Sequence, residues 1–127
     1  KIIFMMEIVL QVLVGLSCLF LLFLGAKTMF APHSMVEIIA IKPEGSAGLN
    51  TMRGFLGGLL IGSSIVLTAG LVTGNTTFFL AIATVMGTVV VGRLVGIAFD
   101  GFDKKVVFPL IAEIFMVTTF IVAYTQL

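Results

Sequence analysis

The chain has 127 residues, of which 60% are hydrophobic and 10% are charged, and its formal net charge is +1. Soluble domains carry about 25% charged residues, and a domain of this size leaves much of its surface in water. The composition therefore excludes a free cytosolic protein, a disordered chain and a nucleic-acid binder, which would need a basic patch for the phosphate backbone. The single cysteine excludes an internal disulfide and a CxxC redox pair.

Four segments are long and apolar enough to cross a membrane as helices, which takes about 20 residues each. None of them alternates apolar and polar residues as a barrel strand does. The predicted fold is therefore all-α, a polytopic membrane protein with a four-transmembrane-helix bundle in one domain over residues 1–127. The predicted spans are 5–26, 51–73, 77–99 and 106–124.

The longest connection, between the first two spans, contains a segment from Pro32 to Ile41 with mixed polarity. Its apolar side chains fit a short amphipathic helix lying in the membrane interface, with His33 and Glu37 facing water. An ordered loop without a helix fits the same residues nearly as well. The apolar members of the segment are Met35, Val36, Ile38, Ile39 and Ile41.

Basic residues concentrate at one end of the predicted bundle. Four spans place both chain ends on one side of the membrane, and that side has only Lys1. The positive-inside rule therefore predicts that the opposite side is cytoplasmic and that the termini are external. The basic residues on the opposite side are Lys27, Lys42, Arg53, Arg93, Lys104 and Lys105.

Two predicted spans carry small residues at every fourth position, and such residues share one helix face. Lipid provides no hydrophobic drive for helix association, so small residues that let backbones approach are a usual solution. We expect two packing ridges that face each other. There are two alternatives to helix packing: a ridge makes room for a flat ligand or a lipid tail, or it forms the interface of an oligomer. The ridge residues are Gly54, Gly58 and Gly62 in the second span and Thr84, Thr88, Gly92 and Gly96 in the third.

Two charged residues lie inside predicted spans at matching depth. Arg93 precedes the end of the third span, and Glu113 follows the start of the fourth. At 1.5 Å per residue, both lie about 10 Å inside the same membrane surface. The two spans are antiparallel neighbours, so we expect an ion pair. Pairing removes most of the cost of a lone charge at that depth, which is at least ~2.5 kcal/mol.

The expected polar cluster adds three residues from the same end of the bundle. The full set is Asn50, Arg53, Arg93, Asp100 and Glu113. A structural clasp that fixes the bundle is the first interpretation. An anion or head-group site is the second, because arginine matches the geometry of carboxylates and phosphates. A proton relay through Glu113 is the third.

The sequence contains no visible catalytic, metal or cofactor set. His33 is the single histidine and lies in a loop, so paired histidine ligands are excluded. No cysteine, histidine and carboxylate residues have the spacing of metal ligands, and no nucleophile stands beside a base. We therefore predict a protein that is not an enzyme and that has no metal and no cofactor.

Two motifs resemble those of a known family. Residues 50–62 fit the pattern N-x-x-R-G-x-x-G-G-x-x-x-G, residues 92–101 fit G-R-x-x-G-x-x-x-D-G, and Glu113 is the one glutamate of the last span. Together they resemble the bacterial four-helix membrane family called domain of unknown function 4345, which is distantly similar to DoxX-like proteins. The resemblance implies a four-helix bundle in the bacterial inner membrane, with the two arginines and the glutamate as signature residues. The resemblance implies no established activity. The distant similarity to DoxX-like proteins suggests association with membrane redox enzymes.

These observations favour an accessory or structural subunit of a larger membrane complex. The alternative is a carrier or binding protein for a lipid head group, a quinone or a small organic anion at the arginine–glutamate cluster. The expected partners are the lipid bilayer and either other membrane subunits or further copies of the chain, with no nucleic acid.

Overall fold

A computed structural model describes all residues, 1–127, and it contains helices and no strands. Four of its helices are long and apolar enough to cross a membrane: Ile2–Phe30, Gly45–Thr73, Thr77–Asp100 and Lys104–Gln126. The predicted fold class, all-α with four membrane-spanning helices, is confirmed.

Two of the four long helices contain a change of helix type or begin with one. The first, α1, is Ile2–Phe30. The second long helix consists of α3 (Gly45–Thr51), a π-helical segment (Met52–Gly57) and α4 (Gly58–Thr73). The third, α5, is Thr77–Asp100. The fourth begins with a 3₁₀ turn, Lys104–Val106, and continues as α6, Val107–Gln126.

The second long helix begins at Gly45, well before the predicted span start at residue 51. Pro43 lies two residues before this helix and disfavours a helical conformation at Lys42, so the helix does not extend further back. Glu44 is extended, with φ −101° and ψ 105°. Hydropathy marks the part of a helix that lies in lipid, and it says little about where polar helical turns begin.

The predicted amphipathic helix is two short helical pieces, a 3₁₀ turn at Pro32–Met35 and the single-turn helix α2, Val36–Ile39. Ala40 ends α2 in the left-handed conformation, with φ 56°. Met35 is buried in the protein, with 1% of its surface exposed, so its placement in the membrane interface was wrong. Ile38 and Ile41 are exposed, as an interfacial segment requires.

Residue contacts divide the chain into two compact units. The first unit comprises Lys1–Gly15 and Val66–Leu127, and within it α5 and α6 pack against each other. The second comprises Leu16–Ile65. In the second unit, α1 approaches the second long helix so closely that a Cβ at Gly25 would lie 2.9 Å from the backbone nitrogen of Ile61.

Buried polar side chains in the spans all have hydrogen-bond partners. The Ser64 hydroxyl donates to the carbonyl of Cys18 at 2.9 Å, which joins two helices of the second unit. Thr28 and Thr119 donate to carbonyls one turn earlier in their own helices. A polar group left without a partner in lipid costs several kcal/mol, and no such group is present among buried side chains.

Large apolar side chains cover much of the surface. Phe99 is 83% exposed and Val72 is 79% exposed. Such exposure is unfavourable in water and natural in lipid, where no hydrophobic penalty arises. With the four long apolar helices, it indicates an integral membrane protein.

Candidate functional site

Arg93 of α5 and Glu113 of α6 form a bidentate ion pair within the first unit. Arg93 Nε donates to Glu113 Oε1 at 2.5 Å, and Arg93 Nη2 donates to Oε2 at 2.9 Å. Two parallel charge-assisted hydrogen bonds of this kind strengthen the pair and fix the relative orientation of the two side chains. The ion pair expected from the matching depth of the two residues is confirmed.

The pair is asymmetric in its exposure. The Glu113 side chain is 12% exposed and the Arg93 side chain is 33% exposed. A guanidinium carries five N–H donors in a planar fork, and the pair uses only those of Nε and Nη2. Both N–H groups of Nη1 are left without a protein acceptor, so Arg93 retains donors for another partner.

Arg93 also lines an open pocket of about 490 Å³. One wall of the pocket is a single face of α5, formed by residues spaced three and four apart. The other wall is the turn that leads into α6. Gly92 and Gly96 contribute no side chain, and a Cβ at either position would meet no atom within 4 Å. The lining residues are Val89, Gly92, Arg93, Gly96, Ile97, Asp100, Gly101, Asp103 and Val106.

Two carboxylates stand at the outer end of this pocket. Asp100 is the last residue of α5 and is exposed, with no hydrogen bond. Gly101 follows with φ 91°, a conformation that favours glycine, and turns the chain toward α6. Asp103 caps the next turn by accepting from the Lys105 backbone N–H through Oδ1 at 2.9 Å. Its Oδ2 remains available to a ligand.

Arg53 has a different partner, the end of α1. Its Nη1 donates to the carbonyl of Met29 at 2.8 Å, within the second unit. That carbonyl belongs to the last turn of α1, where carbonyls lack helical partners and cations are favourable. Asn50 lies on α3, is exposed and forms no hydrogen bond with Arg53. The grouping of these two residues with Arg93 and Glu113 stays a prediction.

The close backbone approach in the second unit is made by glycines outside the predicted ridge. A Cβ at Gly57 would lie 3.1 Å from the Gly25 carbonyl oxygen and 3.0 Å from Met29 Cβ. No atom lies within 4 Å of a Cβ built on the ridge glycines, Gly54, Gly58 and Gly62. No helix of the same unit therefore presses on that ridge, and its role as a packing face stays a prediction.

The ridge of the third span consists of two different halves. Thr84 and Thr88 are exposed and bond to carbonyls of their own helix, Leu80 and Thr84. Gly92 and Gly96 line the pocket. Whether the glycine half packs a helix or makes room for a ligand or a lipid tail stays a prediction.

Sequence reasoning missed three features: the π-helical segment, the contact between Gly25 and Ile61, and the presence of Asp103 in the pocket. Only Asp103 had a usable signal, because an aspartate just before a helical turn is a favoured cap. The π segment has no distinct residue pattern, and Gly25 has no small neighbour at the spacing of a ridge.

The chain matches the model of the family described as Domain of unknown function (DUF4345) over residues 9–124. The chain belongs to the DUF4345 family. No curated protein and no solved structure matches it significantly. The matched range of this DUF4345 protein includes the ion pair, the Arg53 cap and the whole pocket. No group of three or more histidine, cysteine, aspartate or glutamate side chains in it could hold a metal ion.

Proposed function

We propose that this DUF4345 protein binds the phosphate-bearing head group of a membrane lipid in the pocket beside Arg93. One observation carries the proposal. Arg93 gives one edge of its guanidinium to Glu113, and the N–H groups of Nη1 have no protein acceptor although the residue lines an open pocket.

Unsatisfied donors at this depth need an acceptor. Arg93 lies about two helical turns before the end of α5, about 10 Å from the helix end. Lipid phosphates lie in the head-group layer nearer the helix end, and long arginine side chains extend toward that layer. Phosphate also matches the planar fork of arginine. The head group is therefore the ligand chemistry that the membrane itself supplies.

The size of the pocket agrees with such a ligand. Small-molecule sites occupy roughly 300–1,000 Å³, and this pocket has about 490 Å³. The glycine floor at Gly92 and Gly96 lets the glycerol region of a lipid approach the α5 backbone. The pocket opens to the surface, so a lipid can enter it from the side.

The test is native mass spectrometry of purified protein titrated with phospholipid, comparing Arg93→Gln with Glu113→Gln. We expect Arg93→Gln to lose the specific lipid adduct. We expect Glu113→Gln to keep or strengthen it, because the glutamine carbonyl accepts from only one of the two Arg93 donors that Glu113 holds. A clasp without a ligand would make the two variants equal in lipid adducts.

A folded control accompanies this comparison. Arg93→Gln leaves Glu113 as a half-buried charge without its partner, which destabilises the fold. The double variant Arg93→Gln/Glu113→Gln removes both charges, so that no unpaired charge is left in the span. If that folded double variant retains the wild-type lipid adduct, the proposal is contradicted.

An accessory role in a larger membrane complex is the second candidate. The ridge of Gly54, Gly58 and Gly62 supports it, because this small-residue face has no neighbour within its own unit and would admit the backbone of another membrane helix. Gentle extraction from the native membrane followed by native mass spectrometry tests it. Stoichiometric larger polypeptides are expected for a subunit, and a lone chain or homo-oligomer contradicts that role.

A further inference from the structure

The charges around the pocket do not suit a simple anion. Arg93 is the one cationic side chain in its lining, and Glu113 already neutralises it. Asp100 and Asp103 add two negative charges at the outer end. A ligand that carried only negative charge would therefore meet one positive charge against three negative ones, so its binding would be opposed at the carboxylate end.

We infer that the ligand is an aminophospholipid, a head group with a primary ammonium beside its phosphate. The inference rests on the proposed function and names its ligand class. The phosphate accepts from Arg93 Nη1. The ammonium donates to Asp100 and to the free Oδ2 of Asp103, so that each charge of the zwitterion meets its opposite.

The spacing of the two ends fits this ligand. Arg93 and Asp100 lie two turns apart on one face of α5, which corresponds to about 10 Å of helix rise. An ammonioethyl phosphate covers such a length when a charge-assisted hydrogen bond of about 2.8 Å is added at each end. A free phosphate would reach only the arginine end.

The residues that line the pocket also favour a ligand with a primary ammonium over one with a quaternary ammonium. Quaternary ammonium groups have no N–H and are recognised mainly by aromatic faces. No aromatic side chain lines this pocket. Carboxylates that accept hydrogen bonds are present instead, so an ethanolamine-type head group is favoured over a choline-type one.

The experiment measures competition among phosphatidylethanolamine, phosphatidylcholine and phosphatidylglycerol of identical acyl chains, by native mass spectrometry of the full chain. We expect the wild type to retain phosphatidylethanolamine about tenfold better than either competitor, the value of one charge-assisted hydrogen bond. In Asp100→Asn/Asp103→Asn this preference should fall to near unity, with phosphatidylglycerol bound at least as well as before. Asp103→Asn keeps the Oδ1 acceptor of the helix cap, and Glu44→Gln is the matched control at an exposed carboxylate outside the pocket.

The outcomes separate this inference from the proposed function. If adducts depend on Arg93 but the wild type shows no preference for phosphatidylethanolamine, or the aspartate variant retains one, the head-group inference is overturned and the proposed function stands. If no adduct depends on Arg93, both fail. Displacement of the lipid by O-phosphoethanolamine at equal concentration would overturn the assignment to a lipid in favour of the soluble compound.

Discussion

Arg93 pairs with Glu113 through one edge of its guanidinium, and the residue also lines the pocket. Its Nε and Nη2 groups donate to Glu113, and its Nη1 has no protein acceptor. Matching depth in antiparallel spans was enough to predict the pair. The unused donors could not be predicted, because they depend on which edge of the guanidinium the carboxylate takes. That choice follows from the packing of α5 against α6.

The first prediction at the residue scale concerns the contribution of the Arg93–Glu113 ion pair to stability. Glu113→Gln leaves Arg93 without its counter-charge inside a span, and we expect a loss of roughly 2–3 kcal/mol in unfolding free energy. The double variant Arg93→Gln/Glu113→Gln should recover part of that loss. Reversible unfolding in mixed micelles measures both, with Glu37→Gln as the exposed control. Strictly additive effects would show that the two residues are not coupled.

Gly25 gives a second prediction at this scale. A Cβ there would meet the backbone nitrogen of Ile61 at 2.9 Å, and a backbone atom cannot rotate away. Gly25→Ala should therefore destabilise the protein by about 1–3 kcal/mol. Gly15→Ala in the same helix meets no atom within 4 Å and should be neutral or stabilising by up to ~1 kcal/mol. Equal thermal stability of the two variants would contradict the close approach.

At the scale of elements, the π-helical segment Met52–Gly57 carries the side chain that caps α1. Arg53 is the second residue of this segment and bonds to the Met29 carbonyl. π-helical turns often occur at functional positions because they change the direction of the side chains around them. The motif residue Arg53 thus has a structural role that needs no ligand.

Removing this cap should loosen the end of α1. We expect Arg53→Gln to lower stability by about 1 kcal/mol, since the bond is charged but exposed. Amide hydrogen exchange should rise selectively over residues 28–35, while the core of α5 stays unchanged. Lys42→Gln is the control, an exposed cation that makes no hydrogen bond. Unchanged exchange at the end of α1 would contradict the capping role.

The long helices were predictable, and the details within them were not. Hydropathy over about 20 residues reports transfer into lipid, which is the dominant energy for a span. It does not report the hydrogen-bond register, so the π segment was invisible. It also cannot say which small residues meet a neighbour. The spacing pointed to Gly54, Gly58 and Gly62, whereas the close approach of α1 to the second long helix is at Gly25 and Gly57.

At the scale of the whole molecule, the distribution of basic residues predicts the orientation in the membrane. By the positive-inside rule, we predict that the side with six basic residues faces the cytoplasm. In a Cys18→Ala background, Thr125→Cys should react with a membrane-impermeant maleimide in intact cells. Ser46→Cys should react only after permeabilisation. The reverse pattern would contradict the predicted orientation and would place the pocket at the external surface.

The five residues of the predicted cluster belong to two units, and their grouping as one site stays a prediction. Arg93 and Asp100 line one pocket of the first unit, and Glu113 is paired with Arg93. Asp103 joined them because the turn at Gly101 brings the start of the last span beside the end of α5. Sequence spacing gives depth along a helix, but a turn conformation decides which side chains meet at its end.

The central claim is that the free edge of Arg93 holds a lipid phosphate. Solid-state NMR of the protein in native-composition bilayers tests this through dipolar coupling between lipid ³¹P and arginine side-chain ¹⁵N. The chain has only two arginines, so Arg53→Lys leaves Arg93 as the single labelled site. We predict strong dephasing that corresponds to a phosphorus–nitrogen distance of about 4 Å, the separation in a hydrogen-bonded arginine–phosphate pair. Absence of dephasing in the folded protein would contradict the account and would leave Arg93 and Glu113 as a structural pair alone.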